Sequence, residues 1–119
     1  VVIIGDVDYR NFKKLELVMR RLVAGRGVMR VLFIIPDERG VGSQAITLCH
    51  DMGTHFLKVP KLLAHRQNGD KIRNGVILRE LEPHVVLFFA HDLSVPHIEG
   101  VKNLADRAYK KGVKVVHLK

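Results

Sequence analysis

At 119 residues, 47% of them hydrophobic and 27% charged, the chain is sized for one folded domain, which excludes the disordered and low-complexity classes. Aromatics are only 6% and Trp is missing, so the core has to come from Val, Ile and Leu. No apolar run approaches the ~20 residues of a membrane span. The formal net charge of +8 hints at an anionic partner, nucleic acid being the obvious candidate, although charge bears on association rather than fold.

Val1 to Ile4 is a β-branched run closed by Gly5 and reads as a short strand buried on both faces. Asp6 to Asn11 has turn chemistry. Phe12, Leu15, Val18, Met19, Leu22 and Val23 then recur at helical steps, with Lys13, Lys14, Arg20 and Arg21 on the water side. Asn11 is the expected N-cap, and Gly25 with Gly27 supplies the stop. Val31 to Ile35 predicts a second buried strand, ended by Pro36, which cannot donate to a ladder. After the polar turn at 37–40, Val41, Ala45, Leu48, Cys49 and Met52 form a second helical stripe, closed by Gly53.

Phe56 to Val59, flanked by Lys58 and Pro60, suits a short edge strand. Leu62 and Leu63 fit a helix, whereas Gln67-Asn68-Gly69-Asp70 reads as a turn, so the third helix is expected from about Asp70 to Leu81. Val85 to Phe89 is the most apolar strand, hence expected to be central. A long polar loop from Ala90 to Gly100 follows. Val101, Leu104, Ala105 and Ala108 make the last helical stripe, capped by Gly112, and Val113 to Leu118 alternates as a half-exposed strand does.

Strand and helix alternate throughout, which predicts an α/β Rossmann-like three-layer sandwich around a parallel sheet. Five strands fit the length, and the order 3-2-1-4-5 puts the switch point between the first and fourth. Ligands of such sheets bind outside the carboxyl ends of the strands at that point. The loops after Ile4, Ile35 and Phe89 are therefore the ones to read. No repeat, linker or second domain interrupts residues 1–119.

The first loop offers Gly5, where a backbone can approach a ligand, and Asp6 and Asp8. It also carries Tyr9 as a ring to stack on a base and Arg10 as a phosphate partner. The same residues also read as a solvated turn capped by Asp8 or Asn11. In the second loop, Gly40, Gly42 and Ser43 lead into a helix start suited to an anion nest, or to plain turn chemistry. Neither a Walker A loop nor the dinucleotide fingerprint is present.

The third of these loops holds His91, Asp92, His97 and Glu99, readable as metal ligands or an acid–base set. No pair among them has a metal-binding spacing, so no metal is expected, and Glu99 is more simply a partner of a helix dipole. The basic doublets Lys13-Lys14, Arg20-Arg21 and Lys110-Lys111 are scattered, with no aromatic residue interleaved as a single-strand platform requires. Lys71 and Arg73 differ, standing just before Asn74 at a helix start near the sheet's edge. Cys49 lies on a buried stripe and reads as a core residue rather than a nucleophile. It has no cysteine to pair with, and with no signal peptide a reducing cytoplasm is the expected compartment. The chain also opens without Met, as after trimming of a few residues.

Taken in order, these segments resemble a known family. Gly5-Asp6-Val7-Asp8-Tyr9 resembles the Gly-x-Arg-Asp-Tyr opening of the YspA/YpsA-like branch of the SLOG superfamily. Its members are Rossmann-like nucleotide-ligand binders related to the LOG phosphoribohydrolases and DprA. Residues 38–45, Glu38-Arg39-Gly40-Val41-Gly42-Ser43-Gln44-Ala45, are similar to its Gly-Gly-Ala-Arg-Gly-Ala-Asp-x-x-Ala. Gly69-Asp70-Lys71-Ile72-Arg73-Asn74 looks like its Gly-x-x-Arg-Asn helix start. The stretch from Phe88 through Ser94 to Gly100, Val101 and Ala108 resembles its Gly-Thr-x-x-Met…Ala segment.

The departures are specific. Val7 stands for the arginine of the first motif, Asp37 and Glu38 for the paired glycines, Gly42 for an Asp and Val101 for the Thr. Leu104 occupies the position of the phosphoribohydrolase glutamate. The resemblance thus implies the fold and a nucleotide-sized pocket without that catalytic glutamate. Asp37 and Glu38 at the pocket mouth are expected to repel a phosphate unless a metal or Arg39 offsets them.

On this reading the ligand lies between the three loops at Gly5, Asp8, Tyr9, Gly40 and Ser94. Arg39, Lys71, Arg73, Asn74 and the N–H groups of Gly100 and Val101 hold its polar and anionic parts. No cofactor is expected. If the protein is an enzyme, the class is N-glycosidic or phosphoester hydrolysis with Asp8 or Glu99 as the activating carboxylate. The alternative is a degenerate copy that binds nucleic acid or a protein through its basic surface. The resemblance also implies a homodimer.

Overall fold

The computed structural model describes residues 1–27, 30–60, 69–94 and 98–119. Its strands are β1 (Val2–Gly5), β2 (Leu32–Pro36), β3 (His55–Val59), β4 (Val85–Phe89) and β5 (Lys114–Leu118). They alternate with α1 (Phe12–Arg26), α2 (Val41–Met52), α3 (Gly69–Glu80) and α4 (Glu99–Lys110). The sheet is parallel throughout, in the order β3-β2-β1-β4-β5. β1 is therefore the middle strand, and β4, expected to be central for its apolarity, is an interior strand paired with β1 and β5.

The pleat assigns each face its helices. Ile3, Phe33, Ile35, Leu87 and Phe89 point to one side and pack with Leu15 and Met19 of α1 and Ala45, Leu48 and Cys49 of α2. Val2, Ile4, Ile34, Val86 and Phe88 point to the other and pack with Ile77 and Leu78 of α3 and Leu104, Ala105 and Ala108 of α4. Each fully buried aliphatic or aromatic side chain contributes about 1.5–3 kcal/mol by leaving water, and the strand interiors consist of little else. Burial also pushes the Cys49 thiol up, against a weaker opposing bond with Thr54, as suits a core cysteine.

Most element ends fall where the sequence puts them. The Asn11 carboxamide accepts the Lys14 N–H at 3.3 Å and caps α1, whose end is marked by Gly27 at φ 85°. Three ends move. Pro36 belongs to β2 as its last residue, opposite Val59, where Asp37 N–H takes over the ladder at 2.8 Å. α3 opens at Gly69, so Gly69 and Asp70 belong to the helix rather than a turn; Leu62, Leu63, Gln67 and Asn68 lie outside the described residues. α4 starts two residues before Val101, which brings Glu99 into its first turn, where a carboxylate meets the positive end of the helix dipole. Among the described residues, no helix is long and apolar enough to cross a membrane.

Candidate functional site

The order of the sheet reverses between β1 and β4, and the chain leaves these two strands in opposite directions. Their ends are in register, Gly5 opposite Phe89, and Asp6 N–H extends the pairing by donating to the Phe89 carbonyl at 2.9 Å. A Cβ on Gly5 would stand 2.8 Å from that carbonyl oxygen and against the Val41 side chain. Gly5 is therefore required by the closeness of β4 and α2. The space beside it, expected to admit a ligand, is filled by Val41.

After Gly5 the chain turns tightly. The Asp6 carboxylate accepts the Asp8 N–H at 3.1 Å, and the Asp6 carbonyl accepts the Tyr9 N–H at 3.0 Å. This turn drives Tyr9 back into the core, where it is 0% exposed. Its ring meets Phe89 edge-on at 5.5 Å and lies stacked on His91 at 4.4 Å. Tyr9 is thus no open platform for a base, a correction to the expectation from its loop position. Burial raises its phenol pKa, and the hydroxyl finds no hydrogen-bond partner among the described residues. Tyr9→Phe, which removes only that hydroxyl, is expected to hold or raise stability by about 1 kcal/mol, read as an unchanged or higher urea midpoint.

Asp8 and Arg10 remain outside, 3.9 Å apart, and the Arg10 guanidinium is tied to the Val7 carbonyl at 2.7 Å. The first and second loops meet at Gly40, where φ is +78° and a Cβ would stand 2.9 Å from the Val7 carbonyl oxygen. That site needs glycine on both counts. Behind it, Ser43 N–H donates to the Glu38 carbonyl at 3.0 Å, so one arm of the expected anion nest is taken up within the loop.

The two acidic residues standing for glycines are neutralised, though not by Arg39, which is exposed. Asp37 pairs with Lys58 at 3.8 Å across the β2–β3 edge. Glu38 accepts a charge-assisted hydrogen bond from Arg73. The Arg73 side chain is 3% exposed and that of Glu38 23%, so the pair is largely removed from water. Arg73, expected to hold an anionic ligand group, is held by the protein's own carboxylate.

Asn74 is likewise a fastener. Its Nδ2 donates to the Gly100 carbonyl at 3.0 Å and to Asn103 Oδ1 at 3.1 Å, joining α3 to the start of α4. Lys71 is exposed, and its carbonyl accepts from Arg107, whose guanidinium crosses over Gly75. In the loop after β4, the Ser94 hydroxyl and N–H both donate to Asp92 Oδ1, at 2.7 and 2.9 Å, and hold the Asp92 carboxyl below its usual range. Ser94 is thereby turned to its own loop. Gly100 and Val101 lie in the first turn of α4, with Glu99 exposed beside them. His97 lies outside the described residues, and among those described no cluster of His, Cys, Asp or Glu could hold a metal ion.

Several features were missed from sequence. Tyr9 continues the stripe of Phe12, Leu15 and Met19 backwards at helical spacing, a signal of burial. Tyr109, 77% exposed, adjoins the doublet Lys110-Lys111, so one aromatic does flank the basic residues. The Glu38–Arg73 pair has no local signal, its members being 35 positions apart. A cavity of about 590 Å³ opens at the opposite edge around Val1, Leu32, His84 and Val85, away from these loops. No family model matches the chain, and no curated protein matches it either.

Proposed function

We propose that the protein binds a nucleotide or nucleotide-derived small molecule at the carboxyl edge of the sheet, as a sensor or sequestering domain. The observation that carries this reading is the reversal of strand order between β1 and β4. Loops diverging from such a point leave a crevice, and α/β sheets of this kind bind ligands there. The resemblance to the SLOG superfamily agrees with it. With Arg73 taken by Glu38, anionic groups of the ligand fall to Arg39, Lys71 and the first-turn N–H groups at Gly100 and Val101. If the ligand is turned over, N-glycosidic or phosphoester hydrolysis is the class, with exposed Asp8 or Glu99 activating water.

A second reading has its own observation. Arg79, Arg107, Lys110 and Lys111 line a shallow groove between α3 and α4, and Tyr109 stands exposed next to Lys110. Cations with an adjoining aromatic ring suit a nucleic-acid strand.

Thermal unfolding in the presence of AMP, GMP, CMP, UMP, cyclic AMP and ADP-ribose separates the two. A ligand at 100 times its Kd adds about 2.7 kcal/mol, and at least one of these is expected to raise the midpoint by several degrees. If none does, while binding to single-stranded RNA or DNA falls steeply with added salt, the second reading replaces the first.

A further inference from the structure

We infer that the outward face of His91 is the surface on which a flat heteroaromatic ring of the ligand, a nucleobase, stacks. The inference rests on the nucleotide-binding reading above and names the residue that recognises the base. His91 is the second residue after β4, so the sheet itself delivers it to the edge where the strand order reverses. One face of its ring lies on Tyr9, with centroids 4.4 Å apart and planes 20° from parallel. The residue is nonetheless exposed, so its accessible surface lies away from the Tyr9 ring.

Beneath it the support is rigid. Tyr9 is fully buried, wedged edge-on against Phe89, and fixed at its backbone by the Asp6 turn. A ring added on the outside would complete a three-layer stack, with the first two layers ordered before it arrives. That pre-ordering lowers the entropy lost on binding. The only other exposed ring described at a carboxyl strand end is His117, and its Nε2 is bonded to the Ala90 carbonyl at 2.9 Å.

The test uses the tightest-binding nucleotide of the panel and ribose 5-phosphate, which keeps the sugar and phosphate but has no base. Stacking of a base on a side chain is worth enough that His91→Ala should weaken the nucleotide at least about tenfold. His91→Phe should keep the affinity within about twofold, and neither change should alter binding of ribose 5-phosphate. In the unmodified protein, the nucleotide should move the ring-proton resonances of His91 upfield, and ribose 5-phosphate should not. Unchanged nucleotide affinity in His91→Ala, or a His91 ring untouched by the nucleotide, overturns the inference and leaves the binding reading standing. A protein that binds no nucleotide of the panel overturns both.

Discussion

Glu38→Ala is expected to lower the unfolding free energy by about 3 kcal/mol, the low end of the range for breaking a buried ion pair. A guanidinium is a permanent cation, and the Arg73 side chain is 3% exposed. Removing the carboxylate therefore leaves a cation in low dielectric with its closest counter-charge gone. The residual exposure of Glu38, 23%, keeps the effect from the upper end because some water reaches the site. For a domain of this size the loss corresponds to a midpoint roughly 10–15 °C lower.

Arg73→Ala is expected to be costly for the mirror reason, so a loss of ligand binding in that variant reports folding before it reports contact. The double variant Glu38→Ala, Arg73→Ala settles the matter. Its loss should fall short of the summed single losses by about 1–3 kcal/mol, the coupling of two groups in direct contact. Additive losses would show that the pair contributes nothing as a pair.

Gly5→Ala is the second large effect, expected at about 2–3 kcal/mol from overpacking. The new Cβ would stand 2.8 Å from the Phe89 carbonyl oxygen, which also accepts the Asp6 N–H and cannot retreat without breaking that bond. Val41 closes the space from the α2 side. Gly25→Ala is the matched control. Gly25 is helical, nothing lies within 4 Å of its Cβ position, and alanine there should add about 0.5–1 kcal/mol. Urea unfolding of the two variants should therefore move in opposite directions.

These two positions also show where the sequence is legible and where it is not. The succession of strands and helices along the chain and the buried stripe of each helix are legible, because both are set by local periodicity. Gly5 is recognisable as obligatory, yet its reason is the approach of Val41 and Phe89, which only the folded sheet brings beside it. Arg73 and Asn74 are engaged in the same non-local way. Their partners, Glu38 and Gly100, come from distant loops, so a motif read along the chain presents them as free for a ligand. Tyr9 looked exposed because its neighbours are polar; the turn at Asp6 reverses it into the core. His91, which stands exposed at this edge on the Tyr9 ring, is singled out as a stacking surface only once those partnerships are known.

The most direct test of the binding site is a map of backbone amide resonances in the labelled protein, with and without the nucleotide that raises the unfolding midpoint. The largest changes are expected at Gly5, Asp6, Ala90, His91, Gly100 and Val101, with little change at Arg79, Tyr109 and Lys110. Changes concentrated on Arg79, Tyr109 and Lys110, with the β1 and β4 ends unmoved, would contradict the account.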